Sequence, residues 1–204
     1  MNPTDPEPRP RGSYAKGVAR RQEILERARE VFAERGAKRT SLRAIASEVG
    51  VTHAALTHYF SSLDELLVAV YEESKQHDDH GPDGPESNTT PAEAMRVSAH
   101  ENRAVPGLVQ LYSTLVASAL EDDNSAAHEW ATTRFERLRD ELTARVERLQ
   151  ASGVLRQDVE ARLVAALVIA ASDGLQTQWL LDPSVDHEAA LAMLDRLLAG
   201  PNGS

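Results

Sequence analysis

The segment "SLRAIASEVGVTHAALTHYF", residues 41–60, holds two short apolar patterns separated by Gly50. Two helices that cross closely over a tight turn need a small residue at the contact and a glycine at the turn. Ala46 and Gly50 meet those needs. Ile45, Val49, Val51, Leu56 and Tyr59 supply apolar positions that pack the pair against a neighbour, with Phe60 completing the core side. Thr40 or Ser41 reads as the N-cap of the first helix, over about 42–49, and Thr52 as that of the second, over about 53–59. Thr52, His53, Ala54, Thr57 and His58 are left on the outer face of the second helix. Small and hydrogen-bonding side chains of this kind suit a major groove, where base edges present donors, acceptors and the thymine methyl. The hydroxyls of Thr40, Ser41 and Ser62, the phenol of Tyr59 and nearby basic residues such as Arg43 suit phosphates. Contacts to phosphates fix register without reading sequence.

The same helical reading extends outward on both sides. Upstream, Ile24, Leu25, Ala28, Val31 and Phe32 form one stripe of a helix over about 18–35, which Gly36 ends. Residues 1–17 carry four prolines and scattered charge and read as a disordered arm. Downstream, "SSLDE" gives a capping box, Ser62 with Glu65, opening a helix to about 76. The polar segment "KQHDDHGPDGPESNTT" (75–90) reads as a linker, and "TPAE" restarts the helices with Thr90, Pro91 and Glu93. Helices are expected at about 91–104, 106–121, 125–152, 158–181 and 186–199, with Asp158 and Asp186 as caps. The fold class is all-α with about nine helices. An arm (1–17) precedes a three-helix helix-turn-helix unit (18–62) and a helical regulatory and dimerisation unit (63–200).

Composition narrows the function. The chain of 204 residues has a net charge of -10 and no cysteine, which removes disulfides and thiolate metal sites. That charge is uneven: residues 1–60 hold 11 Lys/Arg against 7 Asp/Glu, whereas residues 61–204 hold 11 against 25. A basic end suited to an anion is thus joined to an acidic body. No Gly-rich phosphate loop, GxSxG segment or cysteine nucleophile is present, so the chain does not read as an enzyme. "HDDH" (77–80) offers oxygen and imidazole groups, but no second cluster at helical spacing completes a shell, so neither a metal nor a cofactor is expected. The N-terminus has no apolar run of a signal peptide. The most apolar stretch, 161–182, is interrupted by Asp173, Gly174, Gln176 and Gln178, and reads as a buried helix rather than a membrane span. A cytoplasmic location is expected.

Residues 18–76 resemble the DNA-binding domain of the TetR (tetracycline repressor-like) family of bacterial transcriptional regulators. The block "AREVFAERGAKRTSLRAIASEVGVTHAALTHYF" (28–60), followed by "SSLDELLVAVYE", carries the resemblance. Where the family's reading helix commonly runs "GVSxGALYxHF", this chain has "GVTHAALTHYF": Gly50, Val51, Leu56 and Phe60 match, and Thr57 replaces an aromatic residue. Leu63 stands where the next helix commonly has a phosphate-binding lysine, so that contact is not carried over. "GVLRQDVEARLVAALVIAASDGLQTQWLLDP" (153–183) resembles one branch of the family in the C-terminal part. The resemblance implies a repressor that binds a palindromic operator as a homodimer, paired through its last two helices and released by a small-molecule effector.

The residues support the dimer independently. The 158–181 helix is apolar on more than one face, and "LAMLDRLLA" (191–199) adds a stripe at Leu191, Leu194, Leu197 and Leu198. A cavity for an effector is expected from Tyr112, Trp130, Arg134 and Trp179, with Asp173 and Gln176 as polar anchors in an apolar helix. The competing reading is a helix-turn-helix regulator with no small-molecule effector, for which a solid C-terminal core would speak.

Overall fold

In a computed structural model of the chain, residues 11–35, 41–77, 88–123 and 125–203 are described. They form nine helices: α1 (Arg11–Arg35), α2 (Leu42–Val49), α3 (His53–Tyr59), α4 (Leu63–His77), α5 (Pro91–Asn102), α6 (Pro106–Ser118), α7 (Ala126–Ala151), α8 (Ala161–Leu181) and α9 (His187–Leu198). No strand occurs among the described residues; the one extended pairing is an isolated bridge between Leu155 and Ala199. The expected Thr40 cap, the Gly36 stop, and most of the arm and linker lie outside the described residues.

The local signals act much as their chemistry requires. Ser41 accepts the Ala44 amide, Thr52 the Ala55 amide, Ser62 the Glu65 amide and Thr90 the Glu93 amide, each satisfying an N–H that the first turn leaves unpaired. Gly50 ends α2 at φ 74°, a left-handed conformation that disfavours any residue with a Cβ. Three expectations need correction. Helix α1 begins at Arg11, so residues 11–17 are helix and not arm. The Glu65 carboxylate closes on the Ser61 amide and hydroxyl, one residue earlier than a capping box. Asp158 does not cap α8: its carboxylate is taken by a two-pronged pair with Arg156, and the cap position falls to Glu160, which makes no side-chain bond there.

One buried cluster joins the two ends of the molecule. Ile24, Ala28 and Phe32 of α1, Ile45 and Val49 of α2, Leu56 of α3 and Phe60 just after it pack with Leu66, Leu67 and Val70 of α4. The same cluster continues without a break into Leu108, Leu111, Tyr112 and Leu115 of α6 and Ala127 and Ala131 of α7. Gly107 brings α6 directly onto the end of α1: a Cβ there would lie 2.0 Å from the Phe32 carbonyl oxygen. Two smaller clusters, around Val146 with Val168 and around Leu142 with Ile169, hold α7 against α8.

Helix α8 is not the buried helix its composition suggests. It is long and apolar enough, at a mean hydropathy of 1.2, to cross a membrane. Its polar groups are instead bonded to neighbouring helices, Asp173 to Tyr112 and Gln176 to Asn102, as in a packed bundle. Its opposite face stays uncovered within one chain: Leu163, Leu167 and Leu181 are between 52% and 83% exposed. On α9, Met193 and Leu197 are exposed as well, while Leu191 and Leu198 of the same helix are buried. The expected four-leucine stripe is therefore split between the chain's own core and its surface.

Candidate nucleic-acid interface and ligand cavity

Helix α3 has two faces. Leu56 and Phe60 are fully buried and Val51 and Tyr59 pack against the same core, whereas Thr52, His53, Ala54, Thr57 and His58 are exposed together with Ser41 and Arg43. Ser62 is half-buried at the head of α4. The outer face of α3 thus carries the five side chains assigned to it from periodicity. The bonding of their hydroxyls limits what they offer. Ser41, Thr52 and Ser62 already accept a backbone N–H, so each keeps its O–H proton for an incoming phosphate oxygen. Thr57 is the reverse case: its hydroxyl donates to the carbonyls of His53 at 3.1 Å and Ala54 at 3.2 Å, leaving lone pairs and a methyl outward. Such a group accepts from an adenine or cytosine amine and packs on a thymine methyl.

Two arginines of α1 contact this unit. Arg27 donates to the Val49 carbonyl at the end of α2 and pairs with Glu23, and Arg21 lies 4.9 Å over the Phe60 ring. These contacts tie α1 to the end of α2 and to Phe60. Leu63, at the position of the missing lysine, is half-buried and packed into the core cluster. It has become a structural residue.

A cavity of about 200 Å³ opens in the body, lined by residues of α4, α5, α6, α7 and α8. Four of the six expected residues line it: Tyr112, Arg134, Asp173 and Gln176. Trp130 does not reach the space. It stands behind the lining in an aromatic cluster with Tyr71 and Tyr112, at ring separations of 5.3 and 6.0 Å, and donates to Glu72. Trp179 is farther off, edge-on to the buried His187 of α9 at 5.3 Å, and belongs to the α8–α9 packing. Tyr71, Ser74 and Lys75 of α4 and Asn102 of α5 line the cavity and were not foreseen. Tyr71 and Lys75 continue the Leu67 face of α4 at four-residue spacing. That face was legible, but not what it met.

At the polar end, the Tyr112 hydroxyl donates to both oxygens of Asp173, at 3.1 and 3.0 Å. Burial raises the Tyr112 phenol far above its ordinary range, with the Asp173 charge adding to the effect, so it stays a donor. Burial also raises the Asp173 carboxyl; the Tyr112 bond and the Arg134 charge oppose that only in part. The Arg134 guanidinium lies 5.5 Å from the Tyr71 and Tyr112 ring centres and 5.8 Å from that of Trp130. No metal-holding group of His, Asp and Glu side chains occurs among the described residues, and "HDDH" falls largely outside them.

A helix-turn-helix with an exposed polar face, joined to a helical body with a cavity, fits one class: a DNA-binding transcriptional regulator. Residues 24–70 match the bacterial regulatory proteins of the tetR family and residues 93–200 match the C-terminal part of BetI-type transcriptional repressors, and the chain belongs to the TetR family. It is 31% identical to the transcriptional repressor AcnR of Corynebacterium diphtheriae over 117 residues, 57% of this chain and 47% of that protein. It is 25% identical to the transcriptional repressor Rv1474c of Mycobacterium tuberculosis over 180 residues, 87% of this chain and 90% of that one. Among solved structures, the multidrug binding protein EbrR, complexed with imidazole, superposes with a TM-score of 0.63 at 26% identity, covering 96% of this chain and 100% of that one.

Proposed function

We propose that the protein is a ligand-released repressor: a homodimer joined through α8 and α9 presents two α3 helices to a palindromic operator, and a small molecule in the α4–α8 cavity lowers that affinity. The observation that carries this reading is the double role of α4. Leu66, Leu67 and Val70 are buried in the core that supports α2 and α3, while Tyr71, Ser74 and Lys75 one turn on line the cavity. A ligand that prefers a different α4 position shifts the two states by its differential affinity and releases DNA to that extent. Residues 18–62 serve as the reading unit and 63–200 as the sensing and pairing unit. Ser62, with the Ser61–Glu65 bonds, marks the junction.

The exposed leucines of α8, with Met193 and Leu197 of α9, support a twofold interface, since an uncovered apolar face on one chain is covered by its own copy in a symmetric pair. Thr52, His53, Ala54, Thr57 and His58 read bases, and Thr40, Ser41, Arg43, Tyr59 and Ser62 hold the backbone. The relative EbrR, solved with imidazole, supports effector binding in this architecture. The protein acts on DNA in the cytoplasm, by binding rather than by catalysis. Selection of bound duplexes from random DNA tests the first half: an enriched palindrome is the expected result, and its absence overturns the reading. Titration of that complex with ligands tests the second.

A further inference from the structure

The aromatic cluster that borders the cavity already holds a cation of the protein's own. Arg134 lies against three rings, Tyr71, Tyr112 and Trp130, at 5.5–5.8 Å, an arrangement in which the ring faces attract positive charge. The guanidinium has five N–H donors, and its Nε is buried with no hydrogen-bond partner. Its nearest carboxylate in the cavity, Asp173, makes no ion pair with it. Asp173 is engaged by the Tyr112 hydroxyl through both oxygens. The cavity is therefore lined by a half-buried cation with no carboxylate paired to it there, next to an apolar wall that includes Met95, Val105, Leu108, Val109 and Ile169.

From this geometry we infer that the effector is a small organic acid, its carboxylate paired with Arg134 and its apolar body against the α5–α6 wall; the inference rests on the ligand-released reading above. The alternatives fare worse on the same contacts. An organic cation would find the one carboxylate of the lining, Asp173, already bonded through both oxygens to Tyr112, and would compete with Arg134 for ring faces it already occupies. A neutral ligand would leave the Arg134 charge at the cavity lining without an ion-pair partner there. Lys75, whose ammonium lies 5.9 Å from the Tyr71 ring, adds a second positive group to the lining. The volume of about 200 Å³ is below the roughly 300–1,000 Å³ typical of drug-sized ligand sites, which favours a compact acid.

Calorimetric titration of the full-length protein without DNA tests this. The probes are isobutyrate, benzoate and phenylacetate, each beside its primary amide, with benzylammonium as the cation. The expected result is at least one acid bound about tenfold or more tightly than its amide. Arg134→Met, checked for fold by circular dichroism, abolishes that preference, and Arg134→Lys retains part of it. The inference is overturned if amides bind as well as acids, if benzylammonium binds more tightly than benzoate, or if no acid binds at millimolar concentration. These comparisons on the unaltered protein decide the matter even if the Arg134 variants do not fold. An acid that binds through Arg134 yet leaves operator affinity unchanged would sink the switch and keep the ligand class. Release of DNA by an amine or amide, with acids inert, would do the reverse.

Discussion

Thr57 and Tyr59 are two positions apart on α3 and have different surroundings. The Thr57 hydroxyl spends its proton on the backbone of its own helix and turns lone pairs and a methyl outward. Thr57→Ala removes that acceptor and is expected to relax or alter preference at one base pair, by about 1–3 kcal/mol of discrimination, as read by competition among operator variants. Tyr59 lies half-buried against the core, so only its phenol is free to act on DNA. Tyr59→Phe is expected to weaken all sequences alike, by about tenfold, with base preference unchanged. Asp173 gives a residue-scale prediction of another kind. Its folded-state carboxyl is raised above its unfolded value by burial, so the native state binds the proton more tightly. The sign then follows: stability from this group is full at low pH and declines as pH rises above the ordinary carboxylate range. Asp173→Asn, which keeps an acceptor for Tyr112, should resist urea better than the parent at pH 8 and lose that advantage at acid pH. Equal unfolding midpoints at both pH values would contradict the assignment.

At the scale of elements, the decisive contacts are where helices meet. The α1–α6 crossing depends on Gly107, whose Cα faces the Phe32 and Ala33 carbonyls. Backbone cannot retreat as a flexible side chain can, so Gly107→Ala should cost about 3 kcal/mol and show as a lowered unfolding midpoint. A normal midpoint would mean that the two helices slide apart freely. The α8 surface makes the complementary demand. Leu163 and Leu167 are one turn apart and both exposed in a single chain. The double change Leu163→Glu, Leu167→Glu places like charges across the proposed twofold contact. It should yield monomers by sedimentation and weaken operator binding about a hundredfold or more, because two half-sites are then bound independently.

At the scale of the molecule, the reader and the sensor share a core. The cluster beginning at Ile24 in α1 passes through α4 and ends at Ala131 in α7, so no break in packing falls at the expected division near residue 62. Charge is distributed in the opposite sense: the segment to residue 60 is basic and the rest strongly acidic. An acidic body repels the phosphate backbone, so the attraction must come from the segment to residue 60. Operator affinity should therefore fall steeply with added salt, measured as a negative slope of log affinity against log salt.

The amino-acid sequence by itself determined the all-helical class, the caps at Ser41, Thr52, Ser62, Thr90 and Asp186, and the two-faced character of α3, because each rests on neighbours a few residues apart in the chain. Helical periodicity alone separates Leu56 from Thr57. Tertiary structure decided the rest. Periodicity marks α8 as apolar on more than one face but does not say which leucines its own chain leaves uncovered; those are Leu163, Leu167 and Leu181. Large polar and aromatic residues announce a need for partners without naming them. Arg134 and Asp173 met in the cavity with Tyr71 and Lys75 from a helix about 60 residues upstream of Arg134, while Trp179 found His187 instead. Those pairings depend on how helices cross, which is set by the sum of many distant contacts and by close approaches such as Gly107 on Phe32, not by any local signal.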